Sequence, residues 1–103
     1  MTNDGNFAMA TKVWPGTAKL IEEMGELQQV LGKLIMTSGD TEHWSEDLRP
    51  KLVEELADVM AALRFFNLEN LSRAEQESVW VRYNDKLELF REWRDGKDLD
   101  SRR

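Results

Sequence analysis

The chain has no cysteine among its 103 residues and only one histidine, His43. Without cysteine it forms no disulfide, no zinc–thiolate site and no thiol nucleophile, which fits a reducing compartment. No Ser–His–Asp set stands out, and no glycine-rich phosphate loop does either; Gly25 and Gly32 are isolated inside a helical pattern. No apolar run approaches the roughly 20 residues of a membrane span. The N-terminal stretch lacks the apolar segment of a secretion signal, so a cytoplasmic location is expected. No segment alternates with period two, so a sheet is not expected. Positive charge is the scarcer sign: 14 Lys and Arg stand against 20 Asp and Glu, a net charge of −6. A polymeric nucleic acid would be repelled. A small polyanion remains compatible if a divalent cation neutralises both sides.

What is present reads as helix. The length suits one domain over residues 1–103, with residues 1–13 as a flexible arm that docks through Phe7 and Trp14, and residues 97–103 as a charged tail. Pro15 and Gly16 punctuate the chain. A first helix is expected from about Thr17 to Met36, where Leu20, Met24, Leu27, Leu31, Leu34 and Ile35 recur at helical spacing. Thr37-Ser-Gly-Asp40 is a break, and Thr41 to Leu48 is expected as a short turn of helix holding His43 and Trp44. Pro50 suits the first turn of a second helix running to about Asn67. Ser72 and Glu75 have capping-box spacing for a third helix, and Asp95-Gly96 ends it. Its stripe is Val79, Tyr83, Leu87 and Phe90, with Trp80 and Trp93 in a core or interface. The expected fold is all-α: three main helices plus the short helix and arm, with a four-helix-bundle core completed by oligomerisation.

The most informative feature is an internal echo. Lys19-Leu-Ile-Glu-Glu-Met-Gly-Glu-Leu27 returns position for position as Lys51-Leu-Val-Glu-Glu-Leu-Ala-Asp-Val59. A helix turns about 100° per residue. With Leu20 at zero, Glu23 falls at about 300°, inside the apolar arc between Val30 and Leu34, and Glu26 at about 240°, on its border. With Leu52 at zero, Glu55 and Asp58 fall at the same two angles, Glu55 lying between Ala62 and Phe66. Each helix therefore sends an i,i+3 acid pair into one edge of its buried face. Gly25 matches Ala57 and is expected to allow close helix packing.

Ionised carboxylates cost several kcal/mol to desolvate, and facing pairs also repel. Protons, Lys19, Lys33, Lys51 or Arg64, or a metal would neutralise them, but none of those cationic residues lies on the apolar arc. An all-carboxylate donor set without His or Cys selects hard cations, Mg²⁺ or Mn²⁺. Iron is disfavoured, because di-iron bundles use Glu-x-x-His pairs. The plainer reading is a solvated acidic face, or a helical module that binds metal or nucleotide without turnover.

Glu22-Glu23-x-x-Glu26, followed after 28 residues by Glu55-x-x-Asp58, resembles the signature of the all-α NTP pyrophosphatases, the MazG-like group. The likeness covers about residues 17–67 and extends loosely to the third helix. It implies a homodimer or homotetramer that hydrolyses nucleoside triphosphates to monophosphate and pyrophosphate. It implies Glu23, Glu26, Glu55 and Asp58 as Mg²⁺ ligands, with Glu22 as an auxiliary acid for the attacking water. Relatives specific for dUTP, dCTP or phosphoribosyl-ATP belong to the same superfamily. Lys86 and Arg91, with Arg82 behind them, are the phosphate candidates, although Phe90 stands where the family carries Asn. Trp14, Trp44 and His43 are the candidates for stacking a base.

Overall fold

The computed structural model describes residues 6–44 and 46–96. The fold is all-α with one small hairpin: α1 Thr17–Met36, β1 Glu42–His43, β2 Glu46–Asp47, α2 Leu48–Asn70 and α3 Arg73–Arg94. The chain forms two compact units, Met1–Asn70 and Leu71–Arg103. Among the described residues, no helix is long and apolar enough to cross a membrane. The expected tail over 97–103 and the first five residues of the arm lie outside the described residues.

In the first unit, α1 begins without a side-chain cap. Its N-cap is Gly16, in the left-handed region at φ 88°. The orphan donors of the first turn are met by backbone instead. Gly16 N–H donates to Ala8 O at 3.1 Å, and Ala18 N–H donates to Phe7 O at 3.0 Å. Residues 7–16 thus wrap the helix start. The wrap is tied down at Thr11, buried with its hydroxyl donating to Ala8 O at 2.8 Å. It is also tied to α2, where Asn70 Nδ2 donates to Pro15 O at 2.9 Å.

The end of α1 is a Schellman turn. Gly39 N–H donates to Leu34 O at 2.8 Å and Ser38 N–H to Ile35 O at 3.1 Å. Ser38 occupies the left-handed position at φ 55°.

The segment expected as a turn of helix is a β-hairpin instead. Glu42 pairs with Asp47 and His43 with Glu46. Two residues per strand are too few to show alternation, so the sequence carried no strand signal. The hairpin is held from outside: Asp40 Oδ1 accepts from Glu42 N–H at 2.9 Å, and Lys33 Nζ reaches Glu46 Oε2 at 2.7 Å. Asp47 then caps α2, accepting from Arg49 N–H at 3.1 Å. Pro50 sits in the first turn, as its missing donor allows.

The helices α1 and α2 run antiparallel. Going up α1, Trp14 meets Phe66, Gly16 meets Phe65, and Lys33 meets the hairpin that precedes α2. Val30, Leu48, Val59 and Ala62 are the buried apolar residues of this unit. Only one side of each apolar arc is covered. Ile21, Met24, Leu31 and Ile35 on α1 are exposed, as are Val53, Leu56, Met60 and Leu63 on α2. These stripes correspond in part: Ile21 and Met24 match Val53 and Leu56 in the echo, and Leu31 and Leu63 keep the same offset beyond it. Gly25 does not serve close packing; a Cβ there would meet nothing within 4 Å.

In the second unit, the capping box of α3 forms in full. Glu75 N–H donates to Ser72 Oγ at 3.1 Å, and Ser72 N–H donates to Glu75 Oε1 at 2.9 Å. The helix closes at Asp95, with Gly96 at φ 76°. Of its expected stripe, Val79, Tyr83 and Phe90 are exposed and Leu87 is half-buried, while Leu89 is buried. Trp80 and Trp93 are exposed too, Trp80 stacking on Tyr83 at 4.9 Å and Trp93 tilting against Phe90 at 5.5 Å.

Candidate metal centre

The two acid pairs meet in the middle of the α1–α2 pair. Oxygens of Glu23, Glu55 and Asp58 all lie within 4.8 Å of one another, and so do those of Glu22, Glu23 and Glu26. Glu23 belongs to both groups. The antiparallel register sets Glu23 against Asp58 and Glu26 against Glu55. Exchanging the two copies of the echo turns one of these contacts into the other.

Burial is graded across the group. Glu55 is only 1% exposed, Glu23 and Glu26 are half-buried, and Glu22 and Asp58 are exposed. Glu55 sits on the contact face because helical periodicity puts it there, flanked by Ala62 and Phe66 rather than by solvent. Its Oε1 is 3.5 Å from Lys51 Nζ. Its Oε2 is buried and has no hydrogen-bond partner. A buried polar atom left unpaired is costly and rare in folded proteins. A proton or a cation placed there would satisfy it.

The electrostatics agree. Partial desolvation pushes the Glu23 carboxyl above the ordinary range, with Glu26 and Asp58 adding repulsion. The charge of Glu55 pushes Glu26 up, helped by desolvation. Two ionised carboxylates cannot hydrogen-bond each other; a proton on Glu26 lets it donate to Glu55. The cations nearby answer only part of this charge. Lys19 Nζ bonds to Glu22, and Lys51 Nζ lies 3.4 Å from Glu54 and 3.5 Å from Glu55. Of the cations weighed as neutralisers, Lys51 reaches the buried acid although it lies off the apolar arc. The signal was available, since Lys51 and Glu55 have i,i+4 spacing.

The donor set fits a hard divalent ion. It is all oxygen, with one deeply buried ligand and exposed acids at its edge, which suits a Mg²⁺ that keeps several waters.

The other candidates are dispersed. Trp14 stacks on Phe66 at 6.1 Å, before the start of α1. His43 and Trp44 tilt against each other at 5.1 Å in the hairpin, beyond the end of α1. Trp44 is 91% exposed. The 20 residues of α1 between them span about 30 Å. Trp14 and the His43–Trp44 pair therefore do not serve one ligand together.

Lys86, Arg91 and Arg82 belong to the second unit. Lys86 lies over the Phe90 ring at 5.9 Å, and Arg91 pairs with Glu88 at 3.7 Å. Arg82 lines a shallow groove along α3 with Glu77, Ser78, Val81 and Asp85.

No protein-family model, curated protein or solved structure matches the chain.

Proposed function

We propose that this protein is a Mg²⁺-dependent nucleoside triphosphate pyrophosphohydrolase of the MazG-like kind, with Glu23, Glu26, Glu55 and Asp58 as metal ligands and Mn²⁺ as a possible substitute. One observation carries the reading: Glu55, 1% exposed, keeps an unpartnered Oε2 where three other carboxylates converge. An ionised group in that position costs several kcal/mol unless it is paired, and Lys51 approaches only Oε1.

Bound Mg²⁺ supplies charge neutralisation for phosphate oxygens and lowers the pKa of a coordinated water. The chain's own residues supply position and proton handling. Glu22, exposed at the rim and oriented by Lys19, is the proposed acceptor of the proton from the attacking water. Water attacks the α-phosphorus, the bond to the α–β bridging oxygen breaks, and monophosphate and pyrophosphate leave. The exposed side of Asp58 and Glu22 is the proposed entry for the triphosphate. The Trp14–Phe66 stack is the aromatic pair nearer the acids along α1, so Trp14 is the favoured base platform. Trp44 and His43 then have no part in base binding.

A homodimer or homotetramer belongs to the same reading. The corresponding exposed stripes of α1 and α2 support it, since a second helix pair laid on them makes a four-helix core.

The test is a panel of canonical and modified NTPs and dNTPs with Mg²⁺, assayed for pyrophosphate and monophosphate. Turnover that is lost in Glu23→Ala and Glu55→Ala is the expected result. No turnover across the panel, or turnover unchanged in those variants, overturns the catalytic reading. Nucleotide or metal binding without turnover leaves the alternative of a binding module.

A further inference from the structure

The lysines of the two copies of the echo are not equivalent. Lys19 and Lys51 hold the same place in the two copies, and each pairs with the acid three residues on, Glu22 or Glu54. Only Lys51 also reaches the buried acid of its own copy, lying 3.5 Å from Glu55 Oε1. One ammonium is thus shared between two carboxylates, Glu54 and Glu55. Its separations from Glu54 and Glu55 exceed those of a good N–H···O bond, so charge rather than a tight hydrogen bond holds it there. Its side chain is 40% exposed, so it can swing into solvent without loss of core packing.

We propose that Lys51 is the resident counter-ion of the acid cluster, holding Glu55 in the metal-free protein and competing with the divalent ion for it. This rests on the reading of the acids as a divalent-cation site. A cation already present lowers the electrostatic cost of the empty site and repels the incoming ion. Removing it should therefore weaken the metal-free protein and tighten the metal. At roughly 5 Å in a water-like medium, repulsion between one ammonium and a divalent ion corresponds to about tenfold in affinity.

The test is calorimetric titration of the full chain with Mg²⁺, after chelation, for the wild type, Lys51→Met and Lys51→Arg. Methionine keeps the unbranched stem and removes the charge; arginine keeps the charge. The expected result is about tenfold tighter binding in Lys51→Met, with Lys51→Arg near the wild type. Melting in chelator should show Lys51→Met below the wild type, with Mg²⁺ closing the gap. A Lys51→Met protein that binds Mg²⁺ no more tightly than the wild type overturns the proposal and leaves the acid site standing. So does a Lys51→Met protein that is unfolded with and without Mg²⁺, because Lys51 would then be structural whatever the cation. Absence of binding in all three proteins removes the acid site itself, and the proposal with it.

Discussion

Glu26 and Glu55 face each other across the antiparallel helix pair, and the charge of Glu55 is the largest influence raising the Glu26 carboxyl above its ordinary range. A carboxyl raised on folding stabilises the folded protein below its unfolded pKa of about 4.3, and that stability is lost as pH rises through the folded value. In chelator, the wild type should lose stability relative to Glu26→Gln as pH climbs from about 4 toward neutrality. Paired urea melts at several pH values check this. A constant difference across the range would mean that the two carboxylates do not interact in solution.

Replacing Glu55 separates stability from function. Lys51 is partly exposed, so losing its partner strands no buried charge. Glu55→Met should raise stability in chelator by about 1–2 kcal/mol, because an unpaired buried oxygen is removed. The same variant should lose any Mg²⁺-dependent rise in melting temperature. Thermal melts with and without Mg²⁺ read both effects. A Glu55→Met protein that is less stable in chelator would show that the ionised carboxylate holds the fold.

Two glycines of the same unit should respond in opposite directions. At Gly16 an added Cβ would lie 2.8 Å from Phe65 Cδ2, on backbone at φ 88°. Gly16→Ala should therefore cost about 2 kcal/mol or more. Gly25 is helical with nothing within 4 Å of that Cβ. Gly25→Ala should stabilise by about 0.5–1 kcal/mol. Denaturant midpoints of the two variants give the comparison.

Ser38 carries the left-handed position of the α1 Schellman turn at φ 55°. Glycine is the residue that takes this position without a Cβ penalty. Ser38→Gly should stabilise by roughly 0.5–1 kcal/mol, read from the shift of the urea midpoint at unchanged slope.

What was legible in the sequence was whatever local periodicity or chemistry repeats. The bounds of α1, the capping box at Ser72 and Glu75, and the meeting of Glu23 with Glu55 and Asp58 follow from helical geometry. The hairpin at Glu42–Asp47 did not, because its stability comes from Lys33, thirteen residues before Glu46, and from a two-residue ladder too short for a pattern. The stripe of α3 was legible only in part: Leu87 is half-buried, but Val79, Tyr83 and Phe90 are exposed and the buried position is Leu89. Close packing at Gly25 was read from its match to Ala57 in the echo, yet a Cβ there would meet nothing within 4 Å. Which of the four candidate cations reaches the acids was not legible, because a long flexible side chain leaves its own sector of the helix surface; Lys51 is the one that approaches Glu55.

The central claim is that the unpartnered oxygen of Glu55 exists for a divalent cation. Titrating the metal-free protein with Mn²⁺ and following free ion by electron paramagnetic resonance tests it most directly, with Glu55→Gln as the comparison. The expected result is saturable Mn²⁺ uptake by the wild type, displaced by excess Mg²⁺ and reduced at least tenfold in affinity by the substitution. Equal uptake by Glu55→Gln, or none by the wild type at millimolar ion, would contradict it.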